Sequence, residues 1–491
     1  MSFSVAASDA RAPFILALDV GSSGTRGCLY DATGRPFSGR THRIKVHHAF
    51  TTVANGTSTI DPDQVTDEIR QCITHVAMSS PGPIAGVALD TFASSLVGVD
   101  ADGKASTPCF TYTDSRSAPQ VTYLRSLFNE DEVQQRTGTR QHTGYLPARF
   151  LWLKLVDRSG FDRVRRWMSL GEYAYLQIIG TAAAGISTAA WTGMLNRHAG
   201  TWDTDLLDLV GVREEQLSPI HPPSRPLTPV TDVTGTWPHL RDALWFPPIS
   251  DGFASSIGAG ATDSSTLVAA AATSGAMRVL VDTDVDNLPR GLWCNRVDET
   301  RSLLGGALND VGRAVTWLQE TLRLPDHDAV REMLLADPRP GVPFVLPFFS
   351  GERSTGWVGE ARAVFHRVSA ATTPLELYRG AVEGVAWSYY RMMRELTKVT
   401  GQPEQILATG RVSAELPGLT QILADVLDVP VTPIAIKRST LHGTALHALE
   451  IIAPDIPHHP VTLGETREPD PARRNYYDRR LERTQILYDK M

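Results

Sequence analysis

Asp19, Gly21, Ser22, Ser23 and Arg26 lie close together between two short apolar runs, Phe14 to Leu18 and Gly27 to Tyr30. Two β-type runs joined by Gly, Ser and Thr predict a hairpin with a small polar turn. Such a turn leaves several backbone N–H groups unobstructed, which is how a protein cradles a phosphate. An acid at the end of the first strand stands where a phosphate-bound metal, or its water, is held. The pattern therefore proposes nucleotide chemistry. Gly21, Ser22 and Ser23 would meet terminal phosphates, and Asp19 would hold magnesium through water. Arg26 would either stabilise transferring charge or point to solvent. A turn-forming Asp before Gly-Ser-Ser gives the same local pattern.

The second half of the chain starts again with small residues. Ser250-Asp251-Gly252 leads into an Ala/Ser/Gly-rich helix, and Thr273-Ser274-Gly275-Ala276 echoes the opening turn. An ordinary hairpin turn is the alternative for this second stretch, because short self-similarity also arises by chance. Two such turns facing each other across an interdomain cleft would surround one polyphosphate, and such clefts are favoured ligand sites.

The elements that must position these residues alternate in type. Strands are predicted at 14–19, 25–30 and 84–89. Asp61-Pro62 opens a helix to about Met78, with an acid for the cap and Pro in the first turn. Leu146 to Leu155 and Glu172 to Ile178 read as further helices. Ser218 to Pro248, rich in Pro, Thr and Asp, reads as loops or an irregular crossing between halves. Thr266 to Ala272 fits a buried strand or a helix equally well, and a strand follows at Met277 to Val281. Helices are expected at 309–322, 373–397 and 416–427, a strand at 405–408 before Thr409-Gly410-Arg411, and a last helix after Gly443.

At 491 residues the chain suits two domains. With 42% hydrophobic and 21% charged residues it is globular, and a net charge of -7 without long single-sign runs argues against a nucleic-acid partner. The short basic patches Arg163 to Arg166 and Arg473 to Arg483 read as solvated helix faces. The four cysteines form no C-x-x-C pair and read as buried free thiols. No stretch has ~18 consecutive apolar residues, and the first ten residues lack a signal-peptide pattern, so no membrane partner and a cytoplasmic location are expected. The histidines, His47-His48 and His458-His459 among them, show no metal-ligand spacing and read as surface residues.

Along nearly its whole length the chain resembles the FGGY carbohydrate kinase family of the actin/hexokinase-like superfamily. The resemblance rests on the order and spacing of several blocks. Asp19 to Arg26 is similar to the family's first phosphate motif, Val87 to Gly103 to its first sugar-side segment, and Tyr112 to Arg116 to a further block. Ser250-Asp251-Gly252 resembles the segment of the catalytic aspartate, and Ala272 to Gly275 the second phosphate motif. Gly305 to Asn309 and Phe349 to Arg353 match other blocks, and Thr409 to Asp425 resembles the adenosine-side motif. Within the family the opening hairpin and the block from Phe92 to Asp100 look most like gluconate kinases, with xylulose kinase-like members as competitors.

The resemblance implies an α/β protein of two ribonuclease H-like domains, 1–246 and 247–491, around a central cleft. It implies ATP and magnesium, a sugar or sugar-acid acceptor, and a monomer or homodimer. Asp251 becomes the base that takes the proton of the accepting hydroxyl, although an Asp before a helix also serves as an N-cap. Gly21, Ser22, Ser23, Arg26, Thr273, Ser274 and Gly275 become phosphate contacts, and Gly410, Arg411 and Ser413 the adenosine side. Phe92, Ala93, Ser94, Asp114, Tyr145 and Asp251 line the acceptor pocket.

The chain departs from the family in two places. Thr409 and Arg411 flank a single glycine where relatives carry two or three, so a side chain narrows the nucleotide pocket or adds a guanidinium to it. Ala93-Ser94 replaces a large residue followed by His, which enlarges the acceptor pocket or removes a hydroxyl contact. Asp114 either accepts sugar hydroxyls or forms a purely structural pair with Arg116. Tyr145 and Arg149, four residues apart on one helix face, either touch the sugar or pack between lobes. Glu352-Arg353 is expected to position a loop. A non-catalytic sugar- or nucleotide-binding regulator and an actin-like assembly protein are the rival readings. Retention of Asp19 and Asp251 argues against the first, and the sugar-side blocks against the second.

Overall fold

The computed structural model describes residues 3–283, 285–436 and 438–490. Met1, Ser2 and Met491, at the outer ends of the two expected domains, lie outside the described residues. The chain enters as β1 (Phe14–Gly21) and β2 (Gly24–Tyr30), antiparallel with Gly21 opposite Gly24, so Ser22 and Ser23 alone form the turn. Gly24 has φ +145°, and a Cβ there would strike the carbonyl of Val46, so glycine is required. β3 (Arg43–Val46) pairs along β2. α1 (Pro62–Met78) starts as its cap predicts: Asp61 accepts from the Asp63 N–H, and Pro62 fills the first turn. Its apolar face, Val65, Ile69, Cys72 and Val76, joins the core under the sheet. β4 (Ile84–Thr91) runs parallel to β1 and sets Asp90 beside Asp19.

α2 (Leu146–Val156) and α3 (Leu170–Ile179) follow, the latter opened by a Ser169/Glu172 capping box. β5 (Leu244–Trp245) and β6 (Ile249–Ser250) both pair with β4 in parallel. The first sheet therefore runs β5-β4-β1-β2-β3, with β6 beside β4.

α4 (Asp251–Gly258) follows β6 directly. The second sheet then forms from β7 (Thr266–Ala271), β8 (Gly275–Asp282), β9 (Trp293–Arg296) and β10 (Arg301–Leu308). After α5 (Gly312–Thr321) and the long α6 (Pro374–Thr400) comes β11 (Gln405–Thr409). α7 (Arg411–Glu415), α8 (Pro417–Leu427) and β12 (Val431–Pro433) complete that layer, followed by α9 (Ser439–Ile452) and α10 (Arg474–Tyr488).

The second sheet runs β9-β10-β8-β7-β11-β12. Without β9 it repeats the first sheet: two antiparallel pairings, then two parallel ones, in the same connection order. The architecture is the expected α/β fold of two ribonuclease H-like halves. α4 and α9 pack between the sheets in one core with Ala17, Ala88, Leu280 and Leu303.

One open alternative closes and one expectation changes. The run at Thr266–Ala271 is a strand. It lies inside a sheet and is apolar after Thr266 because both faces are covered. The helix expected after Gly443 starts at Ser439, and α10 follows it. Gly443 is an interior contact and no boundary: it faces Gly258 of α4, and a Cβ on either glycine would collide with the other helix's backbone. The basic run Arg473 to Arg483 does lie on a helix, but Tyr477, Arg480 and Leu481 seat it on the second core. All four cysteines are buried free thiols. No helix is long and apolar enough among the described residues to cross a membrane.

Candidate active site

The parallel strands β1, β4 and β6 all end on the same side of the first sheet, the usual place for ligands in such sheets. Asp19, Asp90 and Asp251 stand at those ends. Ser22 and Ser23 are exposed at the turn, while Asp19 is buried beneath it. Arg26 does not reach into open space: its Nη1 donates to Asp19 Oδ2 at 2.6 Å. Asp19 Oδ1 lies beside Gly21, where no side chain stands in the way. Burial pushes the Asp19 carboxyl up against the pull of Arg26. Asp90 is held well above the usual carboxylate range by burial and by the Asp19 charge. Thr444 of α9 donates to its Oδ2 at 2.5 Å, and its Oδ1 has no hydrogen-bond partner among the described residues.

Behind the turn, His48 Nε2 donates to the Gly21 carbonyl at 2.8 Å, and His48 Nδ1 contacts Glu68 Oε2 at 2.7 Å. Thr25 also donates to Glu68, at 2.7 Å. His48 is thus a fully covered brace and no surface histidine; pairing along the strand edge hid this from spacing alone. His442 is likewise buried, against the Gly258 carbonyl of α4.

Asp251 is the first residue of α4; Ser250 holds the N-cap position without a side-chain cap bond, so the Asp251 carboxylate meets the first turn itself. It accepts the Gly252 N–H at 2.8 Å and is also stabilised by the Ala93 N–H. Burial raises its pKa to about 6, against the opposing pull of Arg278, with a further push from Asp19. Gly252 is set against the Trp191 indole: an added Cβ would lie 3.2 Å from the ring and 3.9 Å from Arg278 Cζ.

The expected acceptor residues divide. Tyr145 caps the start of α2 and lies close enough to Arg353 to feel its charge. Ala93 turns its N–H to Asp251. Ser94 adopts φ +57°, and its hydroxyl donates to the Trp191 carbonyl at 2.5 Å, so it ties down the Trp191 backbone and can meet a sugar only as an acceptor. Phe92, 1% exposed, packs on Phe50 and Tyr112 behind the pocket wall. Asp114 is buried and fully engaged: Arg116 donates to it at 2.7 Å and the Ser58 N–H at 3.0 Å. Arg149 donates to the carbonyls of Ser94 and Thr111 at 2.8 Å each, a packing role.

On the second sheet, Ala272, Thr273 and Ser274 are exposed at the turn between β7 and β8. The Ala272 N–H donates to Ser274 O at 2.9 Å, and Arg313 N donates to Thr273 O at 3.0 Å. Gly410, with φ +93°, brings the end of β11 against the Ala271 carbonyl, so the sheet itself requires this glycine. Arg411 neither fills nor narrows a pocket: its side chain is 72% exposed and pairs loosely with Glu415 at 3.3 Å. Ser413 is buried, donating to Gly410 O at 2.8 Å.

Sequence reasoning left out Asp90, Tyr112, His142, Trp191 and Arg278 as site residues. Two signals pointed to Asp90 and Arg278. Ala88-Leu89-Asp90 repeats Ala17-Leu18-Asp19, and Arg278 is the single cation in a strand apolar up to its closing Asp282. A magnesium ion carried by phosphate oxygens fits Asp19 through its Oδ1, the oxygen that Arg26 does not take, below the Ser22-Ser23 turn and beside Asp90. Among the described residues no group of three or more His, Cys, Asp or Glu forms a metal cage.

Two turns, a half-buried aspartate of raised pKa and a doubled ribonuclease H-like core fit a phosphotransferase of the sugar-kinase type. The chain belongs to the FGGY family of carbohydrate kinases, whose N-terminal domain matches residues 14–233 and whose C-terminal domain matches residues 263–450. It is an ATP-dependent kinase that phosphorylates a carbohydrate hydroxyl. It is 22% identical over 420 residues to a gluconokinase of Bacillus subtilis (strain 168), covering 81% of this chain and 80% of that protein. In fold it matches a gluconate kinase from Lactobacillus acidophilus with a TM-score of 0.88 at 24% identity, over 97% of this chain and 98% of that one. A ligand-bound xylulose kinase from the same organism matches with a TM-score of 0.89, also at 24% identity and the same coverage.

Proposed function

We propose that this chain transfers the terminal phosphate of ATP to a hydroxyl of a sugar acid, gluconate being the best candidate, with Asp251 as the general base. The carrying observation is Asp251 itself: a half-buried carboxylate with a pKa of about 6, aimed by two backbone N–H groups. A base poised near the working pH combines a usable ionised fraction with real proton affinity. As the acceptor oxygen bonds to the γ-phosphorus, the bridging bond to ADP breaks and the hydroxyl proton passes to Asp251.

Gly21, Ser22 and Ser23 would hold the phosphates from the domain at 1–246. Thr273, Ser274 and Gly275 would hold them from the domain at 247–491, with Gly410 and Ser413 on the adenosine side. Arg26 orients Asp19 in this reading and does not touch the phosphoryl group. Asp19 would hold magnesium through water. When bound, that ion would screen the phosphate charges.

A ketopentose acceptor is the second reading, favoured by the likeness to a xylulose kinase structure. Coupled ADP release across gluconate, xylulose, ribulose, other pentuloses, polyols and glycerol tests both. Gluconate-dependent release is expected. Release with a ketopentose and none with gluconate would select the second reading. Release with no acceptor would remove the catalytic one.

A further inference from the structure

Two guanidinium groups, Arg278 beside Asp251 and Arg353 on a neighbouring loop, form no ion pair within 4.0 Å among the described residues. Arg278 projects from β8 and has one hydrogen-bond acceptor, Ser255 Oγ at 3.2 Å. Its Nε has no partner among the described residues, nor has the Nε of Arg353. The loop carrying Arg353 is fixed: Ser354 N donates to Ala307 O at 3.0 Å, and Asn309 Nδ2 donates to Ser350 O at 3.0 Å. The adjacent Glu352 cannot neutralise Arg353. It accepts from Arg391 at 2.5 Å, Tyr488 Oη at 2.8 Å and the Gly356 N–H at 3.1 Å.

Arg278 Cζ lies 3.9 Å from where a Cβ on Gly252, next to Asp251, would stand, and the loop of Arg353 meets the first domain through Trp357 on His142, itself against Tyr145. Arg353 feels the phenols of Tyr112 and Tyr145, and Arg278 feels both the Asp251 charge and the repulsion of Arg353. His142, beside Tyr145 and Trp357, adds no charge, because burial and Arg353 hold its pKa down to about 3. The pocket therefore sets two guanidiniums against one carboxylate. The hydroxyls of an uncharged acceptor could accept from their N–H groups but would leave both charges uncompensated. A carboxylate would satisfy them with paired, charge-assisted hydrogen bonds.

We infer that Arg278 and Arg353 are specificity-determining residues that receive the carboxylate of an acidic acceptor, an aldonate. This rests on the kinase reading above and deepens it. It also revises the sequence expectation that Arg353 only positions a loop.

Matched acceptors test it: D-gluconate and D-xylonate against D-glucitol and xylitol, which replace the carboxylate with a hydroxymethyl group. Binding is read by calorimetry without ATP, and turnover by coupled ADP release. The wild-type chain should favour an aldonate over its polyol by about 10- to 100-fold. Arg353→Met and Arg278→Met should erase most of that ratio, chiefly through KM, and Arg353→Lys should restore part of it. A wild-type preference for the polyols or for xylulose, no aldonate binding, or an unchanged ratio in both methionine variants would overturn the inference. The wild-type ratio decides the matter even if a variant fails to fold. ADP release with xylulose alone would sink the inference and leave the kinase reading standing. Arginine-dependent aldonate binding without turnover of any acceptor would do the reverse.

Discussion

The Ser22-Ser23 turn and the Ala272 to Ser274 turn close corresponding hairpins in a repeated topology, yet they are held by different means. Charged and titratable side chains hold the first: Asp19 with Arg26, and His48 with Glu68 and Thr25. Backbone atoms, small residues and one uncharged phenol hold the second. Thr273 O accepts the N–H of Arg313, Tyr389 Oη donates to Ala270 O at 2.6 Å, and Gly275 and Gly312 permit the close approach. The contrast suggests a division of labour. The first turn sets charge where a metal and a transferring phosphate would sit. The second is a neutral cradle whose shape matters more than its charge.

Substitutions in each turn can break that comparison. The largest effect is expected for Asp19→Asn, which keeps the turn's shape and removes its charge. kcat should fall about 100-fold, as for loss of a group that stabilises transition-state charge. Steady-state ADP release measures it, and a change in ATP KM alone would contradict the assignment.

Gly312→Ala attacks the shape of the second turn, because its Cβ would stand 2.5 Å from Ala272 O and 2.7 Å from Val412 Cγ2. A loss of about 1–3 kcal/mol in thermal unfolding is expected, with a raised ATP KM and a smaller change in kcat. His48→Ala removes a covered brace from the first turn and leaves Glu68 with fewer partners. Urea unfolding should show about 1–2 kcal/mol lost. Tyr389→Phe deletes one hydrogen bond to Ala270 O, and about 1 kcal/mol or less should be lost. If Tyr389→Phe proved costlier than His48→Ala, the assignment of side-chain bracing to the first turn would be wrong.

Much of this was legible in the sequence because the signals were local. The hairpin turns, the Asp61-Pro62 helix start and the small residues around Asp251 each report conformations set by neighbouring residues. The pairing of Asp114 with Arg116 was also within reach at two-residue spacing. What could not be read depends on partners far along the chain. His48 looks like a surface residue until Glu68 and the Gly21 carbonyl are brought to it. Ser94 looks like a sugar contact until Trp191 claims its hydroxyl. Gly443 reads as a helix boundary until Gly258 is seen across the interface. Arg278 and Arg353 acquire meaning only when distant segments bring Arg278 beside Asp251 and Arg353 within the reach of Arg278's charge.

The central claim is that Asp251 takes the proton, and the pH profile of kcat/KM for the wild-type chain and Asp251→Asn tests it. The carboxylate must be ionised to act, so wild-type activity should rise with pH through about 6 and level off above it. Arg278→Met, which removes a charge that lowers this pKa, should move the rise to higher pH. Asp251→Asn should lose about a thousandfold in turnover together with the acid limb, while ATP still binds. Substantial turnover in Asp251→Asn with the same acid limb would contradict the account.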